Sequence, residues 1–134
     1  MLKVVIDTNV AVSALLSPCG NSAQIIDKIF DEDLKPFYCD KILAEYSMVL
    51  ARPRFRFSVE DQANVIEGIK KYGVAVEPSP CDIPFPDESD RVFYEVAKSA
   101  DAYLVTGNAK HYLPEPFIIN PAECIDLLNK SKKG

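Results

Sequence analysis

An acidic residue follows the first apolar run of this chain, at a position where chemistry is expected. Asp7 comes directly after Val4-Val5-Ile6. An unbroken β-branched run is typical of a strand buried on both faces, and the carboxyl ends of parallel strands line the ligand crevice of open α/β sheets. We therefore predict that Asp7 either faces a ligand or caps the helix that begins near Asn9.

Three further acids border the core or open a helix. Glu45 lies three residues after Ile42 and four before Val49, so it borders their buried stripe, or else it leans into solvent. Asp87 and Asp90 open a later helix, where they suit an N-cap and a capping box. Asp90 also overhangs the predicted sheet. Each acid thus has a structural and a chemical interpretation.

A polar turn follows a second strand. Thr106 could donate to a carboxylate and Asn108 could offer an oxygen, although Gly and Asn also form ordinary turns. If these groups meet at one edge of a parallel sheet, their carboxylates repel one another unless cations are present. Oxygen ligands suit Mg²⁺ or Mn²⁺, and the usual chemistry of such sites is displacement at phosphorus.

Composition narrows the class of protein. The 134 residues are 48% hydrophobic and 26% charged, as expected for one compact domain. A net charge of -5 argues against nonspecific coating of nucleic acid. The four cysteines are widely spaced, so we expect free thiols rather than a zinc site or disulfides. Without a signal peptide or a membrane-spanning run, a cytoplasmic protein with no membrane partner is expected.

The order of elements predicts an α/β fold. Strands alternate with helices, which indicates a three-layer α/β/α domain with a mainly parallel five-stranded sheet over residues 1–129 and a frayed basic tail over 130–134. Asn21, Asp40 and Ser58 are expected to open helices, and the proline-rich stretch 78–86 is expected to be an extended loop. Strands are expected at 3–7, 37–39, 74–76, 103–106 and 117–119.

From Leu2 to about Leu128 the chain resembles the PIN domain family of small metal-dependent ribonucleases. The motifs that carry the resemblance are Val5-Ile6-Asp7-Thr8-Asn9-Val10, Leu43-Ala44-Glu45, Asp87-x-x-Asp90 and the segment from Ala102 to Asn108. With Arg52-Pro53 and the stretch from Thr106 to His111, the chain is similar in particular to PIN-family proteins classed as toxins of toxin–antitoxin systems.

The resemblance implies hydrolysis of single-stranded RNA with Mg²⁺ or Mn²⁺. Family members often form homodimers, and toxin members are inhibited by an antitoxin protein, so both partners are expectations here. The family commonly carries another Asp where this chain has Asn108, and that difference leaves open a catalytically weakened RNA- or protein-binding module. The implied catalytic acids are Asp7, Glu45 and Asp90; the metal ligands add Asp87 and Asn108; the supporting residues are Thr8, Asn9 and Thr106.

Basic residues near these motifs are candidates for RNA binding. Arginines alternate with Pro53, Phe55 and Phe57 between positions 52 and 57. Arginine pairs with phosphate and aromatic rings stack on bases. Alternatively, the phenylalanines pack inward, the arginines are solvated and His111 is an ordinary turn residue. The predicted substrate-binding residues are Arg52, Arg54, Lys110 and His111. A phosphotransfer receiver is disfavoured, because the chain lacks the acid that a receiver needs after the third strand and the lysine that it needs after the fifth.

Overall fold

The sheet that the sequence predicts is present and entirely parallel. The computed structural model describes residues 1–133, with side chains through Ser131. Five strands pair in the order β3-β2-β1-β4-β5, and every pairing is parallel. The strands are β1 (Leu2–Ile6), β2 (Leu34–Tyr38), β3 (Val74–Ala75), β4 (Tyr103–Val105) and β5 (Ile118–Ile119).

Six α-helices cover the sheet within the described residues, which confirms the α/β class and the five-stranded sheet. Alternate residues of a strand enter different cores: Val5 packs into one hydrophobic cluster, whereas Val4 and Ile6 pack into the other. The helices are α1 (Thr8–Leu16), α2 (Asn21–Phe30), α3 (Asp40–Leu50), α4 (Val59–Tyr72), α5 (Arg91–Ala100) and α6 (Pro121–Lys133).

Register brings the first two polar motifs together. The Cα of Ile6 pairs with that of Val105, so β1 and β4 end at the same level. The backbone N–H of Asp7 still donates to the carbonyl of Val105, at 3.0 Å. The residues that follow, Asp7 and Thr106, are therefore neighbours at the carboxyl edge of the sheet.

Strand β2 begins earlier than the sequence predicted. It starts at Leu34 and includes Pro36, although proline cannot donate a strand hydrogen bond. Strand β3 pairs only with Phe37 and Tyr38 of β2, so Pro36 has no strand-pairing partner on that side. Gly73 ends α4 as predicted, and its lack of a side chain is required, since a Cβ there would lie 2.6 Å from the Pro36 carbonyl oxygen.

Apart from α5, helix starts were predicted correctly to within a residue or two, but not every cap was. Ser58 caps α4, and its hydroxyl accepts from the Asp61 N–H at 3.0 Å. Gly20 occupies the N-cap of α2 and Cys39 that of α3, so the predicted caps Asn21 and Asp40 are instead the first helical residues. A helix can begin without a polar cap where tertiary packing fixes it.

The predicted start of the fifth helix and the predicted tail also differ from the structure. A 3₁₀ turn at Glu88–Asp90 precedes α5, which starts at Arg91 rather than at Asp87. Helix α6 continues through Lys133, so the residues predicted to form a frayed tail from 130 onward are helical as far as they are described. The predicted tail also includes Gly134, which lies outside the described residues.

Among the described residues, no helix is both long enough and apolar enough to cross a membrane.

Candidate active site

One open pocket at the carboxyl edge of the sheet gathers most of the predicted site residues. Its volume is about 360 Å³. Thr106 stands behind it, bonded to Asp7. Lys110 is exposed and does not line it, so the structure does not bring this predicted substrate-binding residue to the others. The predicted residues that line the pocket are Asp7, Thr8, Asn9, Glu45, Arg52, Arg54, Asp87, Asp90, Asn108 and His111.

A buried carboxylate lies at the base of this pocket. Asp7 is 5% exposed, and its Oδ2 accepts three hydrogen bonds: from the Thr106 hydroxyl at 2.8 Å, the Tyr112 hydroxyl at 3.0 Å and Asn9 Nδ2 at 3.2 Å. Burial raises the pKa of Asp7, and the bonds from Thr106, Tyr112 and the backbone N–H of Thr8 oppose that rise. No side chain of the described residues donates to Oδ1, so other side chains hold the carboxylate through Oδ2.

Asn9 and Thr106 link the ends of β1 and β4. Asn9 Oδ1 accepts from the Gly107 N–H at 2.9 Å, and its Nδ2 also donates to Thr106 Oγ1 at 3.2 Å. The Asn108 N–H donates to the same hydroxyl oxygen at 3.0 Å. Such a satisfied network holds its members in one arrangement. Asn9 and Thr106 therefore contact Asp7, whereas the hydroxyl of Thr8, the third predicted support, makes no hydrogen bond.

The capping interpretation of Asp7 does not describe its side chain. Asp7 occupies the N-cap position of α1, but its carboxylate makes no capping hydrogen bond. Asp87 differs, because it accepts from the Ser89 N–H at 3.0 Å and from the Ser89 hydroxyl at 2.8 Å. These two bonds lower the pKa of Asp87. Asp87 is thus a cap on the pocket rim, whereas Asp7 is an acid held for another purpose.

Asp90 has a buried oxygen without a partner. Its Oδ2 makes no hydrogen bond, and His111 Nδ1 lies 3.9 Å from it. Burial, with Asp7 and Asp87 nearby, raises the pKa of Asp90 to about 6. The Thr8 hydroxyl on the same pocket is also buried without a partner. Buried oxygens of this kind are costly unless a cation or water completes them.

Glu45 completes the acidic wall from α3. The residue is half-buried, which agrees with the prediction that it borders the core-facing stripe. Burial raises the pKa of Glu45; Arg52 opposes that rise, and Asp87 and Asp7 add to it. The carboxylates therefore share one electrostatic environment although they come from different elements of the chain.

The pocket suits a hard divalent cation with water in its shell. No three His, Cys, Asp or Glu side chains within the described residues converge closely enough to form a complete metal cluster. Mg²⁺ commonly binds one or two carboxylates and keeps several waters, so a complete protein cage is not required. Asp7, Asp90 and Asn108 line the same pocket, and the buried Asp90 Oδ2 has no hydrogen-bond partner, so these side chains could hold such an ion.

Two arginines stand on the pocket rim without partners. Arg52 and Arg54 are exposed, and in the part of the chain that the structure describes their guanidinium groups make no hydrogen bond or ion pair. Arg54 lies over the Phe55 ring, 4.8 Å from its centroid. A free guanidinium beside a cation site is suited to bind phosphate, since it offers two donors in one plane.

Sequence reasoning missed two tyrosines that hold the site. Tyr112 donates to Asp7, and its ring packs edge-on against Phe85 at 6.1 Å. Tyr46, the residue after Glu45, is fully buried and donates to the carbonyl of Ile6. Tyr46 has the helical spacing of the core-facing residues of α3, and that spacing predicted that it packs in the core but not that its hydroxyl donates a hydrogen bond. Tyr112 follows an irregular turn, where residue spacing does not report side-chain direction.

Comparison with known proteins identifies the family. A model of the PIN domain matches residues 3–110. The chain belongs to the PIN domain family. This PIN domain is also 31% identical over 110 residues to an uncharacterised protein of Methanocaldococcus jannaschii, an alignment that covers 80% of this chain and 71% of the other. No solved structure matches it significantly.

Family membership gives this pocket a general function. PIN domains are typically metal-dependent nucleases, so a nuclease-type hydrolase is the class to which this PIN domain belongs. All four predicted acids line one pocket, on the same side of the sheet. Their individual roles stay predictions, and so does the role of Asn108.

The Tyr112 hydroxyl is expected to stabilise ionised Asp7. Tyr112→Phe should lower the free energy of unfolding by about 1.5–3 kcal/mol at neutral pH, the usual range for hydrogen bonds to charged groups. Because this bond lowers the pKa of Asp7, its contribution should shrink as the pH falls and Asp7 becomes protonated. Denaturant unfolding at several pH values measures both effects.

A matched control for that variant exists on the neighbouring helix. Tyr94 also packs on Phe85, and its hydroxyl donates to Glu115 at 3.0 Å, away from the pocket. Tyr94→Phe should leave Mn²⁺ affinity unchanged, whereas Tyr112→Phe should weaken it. Equal Mn²⁺ affinities in the two variants would show that Tyr112 serves only packing and stability.

Asn108 is expected to limit metal binding. A neutral amide binds Mg²⁺ or Mn²⁺ less strongly than a carboxylate does, so Asn108→Asp should raise Mn²⁺ affinity. Isothermal titration of both forms tests this, with Asn21→Asp as a control because Asn21 is exposed and does not line the pocket. If Asn108→Asp bound Mn²⁺ no better than that control, position 108 would not face the ion.

Proposed function

We propose that this pocket hydrolyses phosphodiester bonds of single-stranded RNA with the help of Mg²⁺ or Mn²⁺. One observation carries the proposal: Asp90 Oδ2 is buried without a hydrogen-bond partner, and Asp7, whose Oδ1 accepts no side-chain hydrogen bond, lines the same acidic pocket. Without a cation this arrangement is unfavourable, as the raised pKa values of both acids indicate. The unpaired arginines on the rim make a phosphate ester the natural substrate.

The side chains divide the work according to their positions. A divalent cation, when bound, would supply an activated water and stabilise charge on the leaving oxygen. Asp7 and Asp90 would hold that cation, and Thr106, Tyr112 and Asn9 keep Asp7 in place. Glu45, with its raised pKa, is suited to accept a proton from water at its carboxylate oxygen. Arg52, which lines the pocket rim, binds a phosphate that flanks the one attacked.

Cleavage of an end-labelled single-stranded RNA tests the proposed function. Purified protein should cleave it in Mn²⁺ or Mg²⁺, lose activity in EDTA and recover when the metal is returned. The same sequence in a duplex serves as the control and should be cut much more slowly, because its scissile phosphates cannot enter the pocket as freely. Cleavage that survives EDTA, or equal cleavage of both substrates, would contradict the proposal.

A weakened binding module is the second candidate. Asn108 replaces a family carboxylate, and among the described residues no three metal-binding side chains converge on one point. This alternative predicts that the protein binds RNA or a protein partner with no hydrolysis, and that Asn108→Asp restores cleavage. Cleavage by the unaltered protein at rates that depend on Mn²⁺ would exclude it.

The biological setting is part of the same proposal. The toxin role rests on the motifs Arg52-Pro53 and Thr106 to His111, and it carries with it a cytoplasmic location, a homodimer and an inhibiting antitoxin protein. Growth arrest on expression of the chain, relieved by the product of an adjacent gene, tests the toxin role and the inhibiting antitoxin. Light scattering of the purified protein tests the dimer.

A further inference from the structure

The segment after α3 forms a distinctive structure at the pocket rim. A 3₁₀ turn at Pro53–Phe55 is followed by Arg56 in the left-handed region, with φ at 56°. That conformation is unfavourable for a residue with a side chain and persists only where the surroundings hold it. Here it accompanies the stacking of Phe55 on Phe57, with ring centroids 5.3 Å apart and planes 11° apart.

The two phenylalanines have different surroundings. Phe57 packs against the hydrophobic core, and its carbonyl accepts from Gln62 Nε2 at 3.0 Å. Phe55 belongs to neither core cluster of the described residues, is half-buried and lines the acidic pocket. The inward packing that composition alone allowed for both rings therefore applies to Phe57. Phe57 anchors the pair, and Phe55 is left on the pocket side.

Arg54 adds a planar cation to this pair. Its guanidinium lies over the Phe55 ring and is otherwise unpartnered. Guanidinium planes and aromatic rings are the surfaces on which proteins stack unpaired bases of RNA. Arg52 follows the same edge of the pocket, where it can bind the phosphate of the same nucleotide.

We propose that Arg54 and Phe55 form a subsite for one unpaired nucleobase beside the scissile phosphate. The proposal rests on the proposed function, and it supplies a physical reason for a single-stranded substrate: a base already paired and stacked in a duplex has no free face to offer. The Phe57 ring, which packs against the hydrophobic core and stacks on Phe55, keeps the subsite formed before RNA arrives.

The test compares two variants that lose the same charge, Arg54→Gln and Arg56→Gln, together with Phe55→Leu. Binding of a single-stranded RNA carrying 2-aminopurine is measured in EDTA by fluorescence, since stacking quenches this base. Arg54→Gln and Phe55→Leu should reduce the quenching and weaken binding about 5- to 150-fold, as expected for one base stack. Arg56→Gln should keep the quenching, because Arg56 does not line the pocket. Thermal melts verify that each variant folds.

An abasic RNA separates stacking from charge. With the probe base removed, Arg54→Gln and Arg56→Gln should bind alike. Equal loss of affinity for intact and abasic RNA on Arg54→Gln, or full quenching by Phe55→Leu, would overturn the subsite. If the protein binds RNA in a base-dependent way but does not cleave it in Mn²⁺, the subsite is supported and the proposed hydrolysis is wrong. If the protein cleaves RNA and Arg54→Gln has the same affinity and quenching as Arg56→Gln, hydrolysis is supported and the subsite is wrong.

Discussion

Asp7→Asn should fold normally and lose RNA cleavage by about 10³-fold in kcat, the upper range for loss of one charged group at a reaction centre. The asparagine carbonyl can take the place of Oδ2 and accept the bonds from Thr106, Tyr112 and Asn9. Its amide then replaces Oδ1, where a cation cannot bind. Steady-state cleavage in Mn²⁺ measures the loss of activity.

Thermal unfolding in EDTA separates that catalytic loss from damage to the fold. Asp7→Asn should melt at the same temperature as the unaltered protein or higher, because one charge leaves a repulsive cluster. Asp7→Ala is the contrasting variant and should melt lower, since it leaves buried donors without an acceptor. A large drop in melting temperature for Asp7→Asn would show that Asp7 is chiefly structural.

Mn²⁺ binding should weaken steeply in mild acid. The pKa of Asp90 is raised to about 6, and the carboxyl must release its proton before it can bind the ion. Below that pH the apparent affinity should fall by at least about tenfold per pH unit, as expected when the Asp90 proton is displaced. Asp90→Asn should bind Mn²⁺ weakly at every pH and show a flatter profile, because only the other acids then release protons. An unchanged slope in that variant would assign the proton to another group.

The same group should make the metal-free protein more stable in mild acid. The folded pKa of Asp90 lies above the ordinary 3.8, so its stabilising contribution is present in full below that value and lost as the pH rises through about 6. Asp90→Asn should remove this part of the pH dependence and raise metal-free stability at neutral pH by about 1–2 kcal/mol, allowing for partial exposure. Denaturant titrations in EDTA at several pH values measure it.

The parts of the fold that the sequence predicted are those with a local physical signature. The apolar run Val4-Val5-Ile6 can bury all of its side chains only in a strand covered on both faces, and each of these residues is at most 1% exposed. Asp7 and Thr106 could be placed together because parallel strands share one carboxyl edge. The reciprocal cap of Asn120 and Glu123 on α6 follows from spacing within a single turn, and both of its bonds are present.

What the sequence did not predict depends on contacts between distant and irregular segments. Tyr112 reaches Asp7 across 105 positions of sequence through a 3₁₀ turn. Phe85, in the proline-rich loop, packs on Tyr112 because Arg91 holds that loop through the Cys81 carbonyl at 2.7 Å. Neither contact has a period that could be read from residue types. The unequal packing of Phe55 and Phe57 has the same origin.

Anomalous scattering from Mn²⁺ in crystals of the protein tests most directly whether the acidic pocket is a metal-dependent active centre. We expect a strong peak between Asp7 Oδ1 and Asp90 Oδ2, with water as the remaining ligands, and no peak there in Asp7→Asn. A pocket without manganese, under conditions in which the same protein cleaves RNA, would contradict the assignment of catalysis to these residues.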